Sequence, residues 1–418
     1  MNRRHLLMGC CAALGVGLFT GLGAMGVMGA KSLRNPCRGT LPRELAQHDT
    51  VLAALQGLDM ARVVDTHAHL LGTGDAGSGC SIHPSMHQWW HPGEVLRRRG
   101  ILNAACVPAD APSIDRAYVQ RLLDLAADFP AGARWWLFAF EQAHDDAGRP
   151  DPNHSTFHVP DAYTAQIAAQ HADRFDWVAS IHPYRADALQ RLDAALAAGA
   201  LAVKWLPSAM NIDLRDPRCR PFCERLARAG RPLIVHCGEE KAVPGAGRDE
   251  LGNPLHVRHV LAHGVQVVMA HCGSLGHAID EDLKSRPEVP AFGLFARVMD
   301  ESENAAQGGR LLGDISAVFQ RNRSDTVWRT LLQRDDWHGR LLHGSDHPLP
   351  GVMPLFSLPK LQRAGLLQQA DIDVLTRVRE HNPLLFELVL KRRLRAGSAQ
   401  LPAAVFEGRA LASAVRPA

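Results

Sequence analysis

Several segments of the chain end apolar runs in side chains that bind metal ions. Arg62-Val-Val-Asp65-Thr66-His67-Ala-His69 closes on His-x-His. Pro232-Leu-Ile-Val-His236-Cys-Gly and Val267-Val-Met-Ala-His271-Cys-Gly each close on a His, and Leu341-Leu-His343-Gly-Ser-Asp346 closes on a carboxylate. Residues i and i+2 of a strand point to one side, so His67 and His69 can meet one ion. A single strand-end His is more often a hydrogen-bonded packing residue than a ligand. The whole set, with its His-x-His, is hard to assign to packing. Imidazole and carboxylate donors suit Zn, Mn or Fe, with Zn the first expectation. Three His and one Asp as ligands leave a position for water, whose pKa a bound ion lowers towards ~7. The chemistry expected is hydrolysis of an amide, ester or lactone, with Asp346 handling the proton.

These side chains need strands that end at one place. Short apolar runs occur at Val63–Asp65, Ile101–Val107, Trp135–Phe140, Trp177–Ile181, Leu201–Trp205, Leu233–Val235, Val265–Ala270, Leu311–Ile315 and Leu341–Leu342. Helix-like stretches such as Ala117–Phe129, Ala186–Ala198 and Pro221–Ala229 lie between them. This alternation predicts an α/β fold with a parallel sheet, and the continuous apolar runs predict strands covered on both faces. A (β/α)8 barrel is the expected architecture, with the C-terminal strand ends around the site. There is one run more than eight strands require, and either Ile101–Val107 or Trp135–Phe140 is the surplus one. Lys204 sits in the apolar run Leu201–Trp205, and only six of the 46 basic side chains are Lys. Burying its charge unpaired is costly, which marks it for a role at the site.

The 418 residues carry a net charge of +3 and no long basic block, so nucleic-acid binding has no electrostatic footprint. The apolar fraction of 46% supports a full core, and the partner expected is a small-molecule substrate. Arg3-Arg4 stands before an apolar run that reaches Ala30, a pattern similar to a twin-arginine export signal. About 20 apolar residues suffice to span a bilayer, so residues 5–30 are long enough to remain as an anchor. Residues 1–35 are therefore expected to lead the chain to the periplasm or hold it at the inner membrane. Gly21-Leu-Gly23-Ala-Met-Gly26 matches a dinucleotide fingerprint, but no strand precedes it and no acidic residue follows at the required spacing. Residues 36–60 read as a linker and short helix (Leu41–Leu55), 61–395 as the barrel, and 396–418 as a loose tail. Of the nine Cys, Cys106, Cys237 and Cys272 read as small core residues, with a disulfide left open for an exported chain. Oligomeric state stays open.

The order His-x-His, Lys, His, His, Asp resembles the amidohydrolase superfamily, and most closely its branch related to aminocarboxymuconate-semialdehyde decarboxylase. Asn382-Pro-Leu-Leu-Phe is similar to that branch's C-terminal helix start, and the resemblance covers about residues 62–390. It implies that His67, His69 and His236 bind the metal, that Asp346 binds it or shuttles a proton, and that His271 polarises the substrate or positions water. It favours one ion over two. Lys204 is left between a carbamylated metal bridge, a substrate-anion contact and a structural ion pair. Glu239 and Glu240 are candidates for substrate or ligand-supporting contacts, against a solvated loop. Asp314 and Ser316 are expected to face the site. Arg297 is a candidate for a substrate carboxylate, against a surface role. His83, His87 and His91, beside Trp89 and Trp90, read as a structural lid. The rival reaction is non-oxidative decarboxylation of an aromatic or unsaturated acid. The rival of another class is an idle barrel used as an anchored binding protein, which predicts missing ligands.

Overall fold

Strands buried on both faces have to be apolar along their length, and eight of the runs form the wall of one closed ring. The computed structural model describes residues 33–304 and 310–411. The export-signal, anchor and dinucleotide-like segments of the sequence lie outside the described residues. The ring strands are β1 (Val64–His69), β2 (Arg134–Phe138), β3 (Phe175–Val178), β4 (Val203–Trp205), β5 (Leu233–His236), β6 (Val267–Ala270), β7 (Leu311–Asp314) and β8 (Leu341–Leu342). All pairs are parallel, from β1 through β2 to β3 and from β4 through to β8. Two seams complete the ring. Ala179 bridges to Val203 between β3 and β4, and Ala68 bridges to His347 just past β8. At the second seam Thr66 N–H donates to His343 O and His69 N–H to His347 O, each at 2.9 Å.

Amphipathic helices such as Ile114–Ala127, Ala188–Ala197 and Cys219–Arg228 return the chain between strands. Ile114–Ala127 shows the sequence logic. Ser113 caps its first turn, and Ile114, Tyr118, Leu122 and Leu125 recur on the face that is buried. Helix Pro383–Arg393 starts at Asn382, whose side chain accepts from Leu385 N–H at 3.0 Å and donates to Leu125 O at 2.8 Å. Inside the ring, Trp136, Phe138, Val178, Ile234, Val268 and Leu312 form a separate core.

One open choice is decided and two expectations are corrected. Ile101–Val107 is the surplus run: Ile101–Ala104 ends a helix, Pro92–Ala104, that begins with Pro at its first position. A short apolar run does not by itself distinguish a strand from one helical face. Cys106 is not a lone core thiol but is bonded to Cys37, across a separation of 69 residues. The described part of the tail is packed. Leu401, Val405, Phe406 and Leu411 are buried, Leu411 joins the core inside the ring, and Val405 O accepts from His343 N–H at 3.0 Å. Its single helical turn, Ala403–Phe406, is too short to show periodicity. The segment before the barrel forms two short helices, Arg43–Ala46 and Asp49–Leu55.

Phe406→Ala should lower unfolding free energy by about 3 kcal/mol in urea titrations, because a fully buried ring leaves a cavity. Cys37→Ser should lower it by up to about 4 kcal/mol, the chain-entropy value for a loop of this length.

Candidate metal centre

Strand alternation sends His67 and His69 to one face of β1, and the end of the strand brings both imidazoles to the C-terminal rim of the barrel. His236 is the last residue of β5, His271 follows β6 directly, and Asp346 lies in the loop after β8. His271, Cys272 and Asp346 all have left-handed backbone, at φ 55°, 51° and 61°. Non-glycine residues seldom adopt it, and such strain gathers where side chains must be aimed.

The rings converge. His67 and His69 lie 5.1 Å apart by ring centroid, His67 and His271 4.9 Å, and His236 and His271 5.1 Å. Asp346 Oδ1 stands 3.2 Å from His69 Nε2 and 3.5 Å from His67 Nε2, and its Oδ2 is 4.0 Å from His271 Nε2. Behind the rings, Asp314 Oδ2 holds His67 Nδ1 at 2.5 Å. Ser316 Oγ lies 2.8 Å from the same carboxylate oxygen and 2.9 Å from His271 Nδ1. With Nδ1 engaged by Asp314, the Nε2 lone pair of His67 is turned to the centre, the usual way a protein fixes a ligating tautomer.

Whether these residues fit a metal can be judged from what is left unpaired. His67 Nε2 and His236 Nε2 are buried with no hydrogen-bond partner, although buried polar atoms nearly always have one. Burial, with Lys204 next, holds His67 well below the ordinary imidazole range, and burial with the neighbouring His67 and His236 does the same to His271. Neutral imidazoles grouped with a carboxylate are the donor set of a divalent transition ion. His67, His69 and Asp346 place ligand atoms within 4.8 Å of one another. His236 stands beside His271 on the same cavity wall, with Glu240 Oε2 at 3.4 Å from its Nε2.

His67, His69, Lys204, His236, His271 and Asp346 line one cavity of about 460 Å³. Glu239 and Glu240 line it too, so neither is a purely solvated loop residue. The Lys204 ammonium is buried without a hydrogen-bond partner, 5.5 Å from the Phe138 ring centroid. Burial brings its pKa down to about 8 against the pull of Asp314, Asp346 and Glu240. Two candidates sit elsewhere. Arg297 is on helix Ala291–Asn304, bound to Asp280 at 2.6 Å and Asp282 at 2.8 Å, and does not line the cavity. Its carboxylate partners belong to the protein itself, because the helix face that carries it looks away from the barrel mouth onto the Asp280–Asp282 turn. Asp314 is shielded from the cavity by His67 and supports that ring rather than touching substrate. His83 and His87 belong to a single helical turn and His91 precedes the next helix, and none of them lines the cavity.

Sequence reasoning missed Arg323. It lines the cavity and is buried, and its Nε and Nη1 are bonded only to neutral partners: Ser274 Oγ at 3.2 Å, Gln320 Oε1 at 3.0 Å and Asn322 Oδ1 at 2.7 Å. Burial pulls its pKa down to about 10. In the polar segment Gln320-Arg-Asn-Arg323 nothing separates it from a surface arginine except its place in the loop after a barrel strand.

Elemental mass spectrometry of the purified chain should find one equivalent of a transition metal, absent from a His67→Ala/His69→Ala variant. Asp314→Asn should weaken metal affinity by about 10–100-fold in a chelator competition, since it loosens the His67 ring without removing a ligand.

None of the curated proteins matches the chain. Solved structures that resemble it include an uncharacterised TIM-barrel protein from Bordetella bronchiseptica, 16% identical, with a TM-score of 0.46 over 75% of this chain and 98% of that one. Another is 5-carboxyvanillate decarboxylase from Sphingomonas paucimobilis, 14% identical, with a TM-score of 0.40 over 75% and 96%. A third is 2,6-dihydroxybenzoate decarboxylase, 12% identical, with a TM-score of 0.38 over 78% and 98%. The family model described as amidohydrolase matches residues 64–384, which span the whole ring and every residue of the centre, and the chain belongs to the amidohydrolase family.

Proposed function

We propose that the chain is a metal-dependent, non-oxidative decarboxylase of an aromatic or unsaturated carboxylic acid. One observation carries this reading. Lys204 and Arg323 are buried cations on the cavity wall, and among the described residues neither has a carboxylate in salt-bridge contact. A buried charge is costly unless paired. A substrate carboxylate provides the pairing, and Arg suits it through its planar fork.

His67, His69, His236 and Asp346 would hold the ion. When bound, a divalent ion supplies a Lewis acid that draws electron density onto substrate oxygens. Arg323 and Lys204 seat the anionic end of the substrate, and Leu71, Phe140, Phe157 and Leu206 wall the apolar remainder. The bond between the unsaturated carbon and the carboxyl carbon breaks, its electron pair stays on the former, and carbon dioxide leaves. Protonated Asp346 delivers its proton to that carbon and is left as the carboxylate, which solvent reprotonates once the product leaves; His271 Nε2, 4.0 Å from its other oxygen, helps to position it. Hydrolysis of a neutral amide, ester or lactone is the second reading. Glu239 and Glu240 on the same wall favour it, because they set negative charge in a cavity that would take an anion.

We also propose that the chain works outside the cytoplasm, periplasmic or anchored at the inner membrane through residues 5–30. The Cys37–Cys106 disulfide supports this, since such bonds persist in oxidising compartments.

A panel of substituted benzoates and unsaturated acids, followed by carbon dioxide release, tests the reaction. Lys204→Met and Arg323→Met should each lower kcat/KM for the acid by about 100-fold, the usual weight of a charged hydrogen bond, and change neutral ester turnover by only a few-fold. Turnover of neutral esters or lactones with no carbon dioxide from any acid would replace this reading with the hydrolytic one.

A further inference from the structure

The chain has eight tryptophans. Six are buried, while Trp89 is 81% and Trp90 56% exposed. Scattered single apolar residues on a surface need no explanation. These two are adjacent, with their rings edge to face at 5.8 Å, in the segment that leads into helix Pro92–Ala104. That helix is only half-buried: Val95, Leu96 and Ile101 stay partly open. It also lines the cavity, through Leu96, Arg97 and Ile101 among others.

The other end of the helix, ~20 Å away at 1.5 Å per residue, receives the incoming chain. Asn35 N–H donates to Asn103 Oδ1 at 2.9 Å, Asn103 Nδ2 donates to Asn35 O at 3.0 Å, and Cys37 is bonded to Cys106. Asn35 and Cys37 therefore lie against the far end of the same helix that carries the tryptophan pair at its start. Two exposed arginines flank this path, Arg34 just before Asn35 and Arg99 one turn before Asn103. Tryptophan pairs an apolar ring with an N–H donor and gathers at the headgroup level of membranes, and arginines near such a surface attract anionic headgroups.

We propose that the face formed by Trp89, Trp90 and helix Pro92–Ala104 rests on a lipid bilayer containing anionic lipid. The two indoles sit at headgroup level, and the cavity mouth is turned towards the membrane. The contact is additional to any anchoring by the preceding segment, and it does not depend on which reaction the centre performs.

The test uses the full chain in vesicles of phosphatidylcholine and phosphatidylglycerol, with acyl chains either plain or brominated near the glycerol. Residues 1–32 contain no Trp, so an anchor contributes no signal. Brominated lipid should quench part of the wild-type tryptophan emission. In Trp89→Ala/Trp90→Ala that quenching should vanish, while the unfolding midpoint stays unchanged because both rings are exposed. Equal quenching in the two proteins, or none in the wild type, overturns the proposal. So does efficient crosslinking between two copies through a Trp89→Cys thiol without lipid quenching, which would assign the pair to a second copy of the chain.

Discussion

Asp65 Oδ1 accepts the backbone N–H of His67 at 3.1 Å and that of Ser345 at 2.8 Å. The first bond fixes the strand that carries both imidazoles of the His-x-His pair. The second fixes the loop that carries Asp346. Asp65 does not line the cavity, yet it ties the two halves of the ligand set across the seam where β8 meets β1. Burial raises its pKa to about 7, against the pull of the Ser345 and His67 bonds and of Lys391. From helix Pro383–Arg393, Lys391 Nζ donates to Gly344 O at 2.6 Å and pairs with Glu387 at 2.6 Å. A buried pair of this kind is weak evidence for stability, but removing one partner leaves an uncompensated charge. Here the pair clamps the glycine two positions before Asp346.

The same division of labour runs round the rim. Residues that meet the cavity are held by residues that do not: Asp314 and Ser316 behind His67 and His271, and Ser274 behind Arg323. The left-handed backbone is tolerated at His271, held by Ser316, and at Asp346, whose N–H donates to His67 O at 2.7 Å. The interior then holds neutral imidazoles and two cations stripped of water, a setting in which charge on an incoming molecule counts for far more than in solution.

The ring and most of the centre were legible because both rest on periodicity. His67 and His69 share a face by the two-residue repeat of a strand, and His236, His271 and Asp346 end the apolar runs of β5, β6 and β8. Lys204 stood out by its rarity among 40 arginines. What escaped depends on direction in space. Arg297 and Arg323 are the same residue type in unremarkable local sequence, and only the fold shows that one faces Asp280 while the other faces the cavity. Asp314 was placed at the right end of the right strand, but its side relative to His67 is a tertiary fact. Ile101–Val107 misled because a half-buried helix end and a strand can share one apolar run. The Cys37–Cys106 bond joins positions 69 residues apart, a pairing that no local pattern encodes.

Leu411 inside the ring has a consequence for how the molecule is made. The barrel's interior core is completed by a residue synthesised after all eight strands, and Val405 accepts the bond from His343 just beyond the last of them. A nascent chain that has already emerged through β8 still has an open floor, with apolar side chains facing water. Closure therefore waits until the chain has been made through Leu411. An unfinished barrel is held in a state that chaperones can recognise and that a quality-control step can distinguish from the finished one.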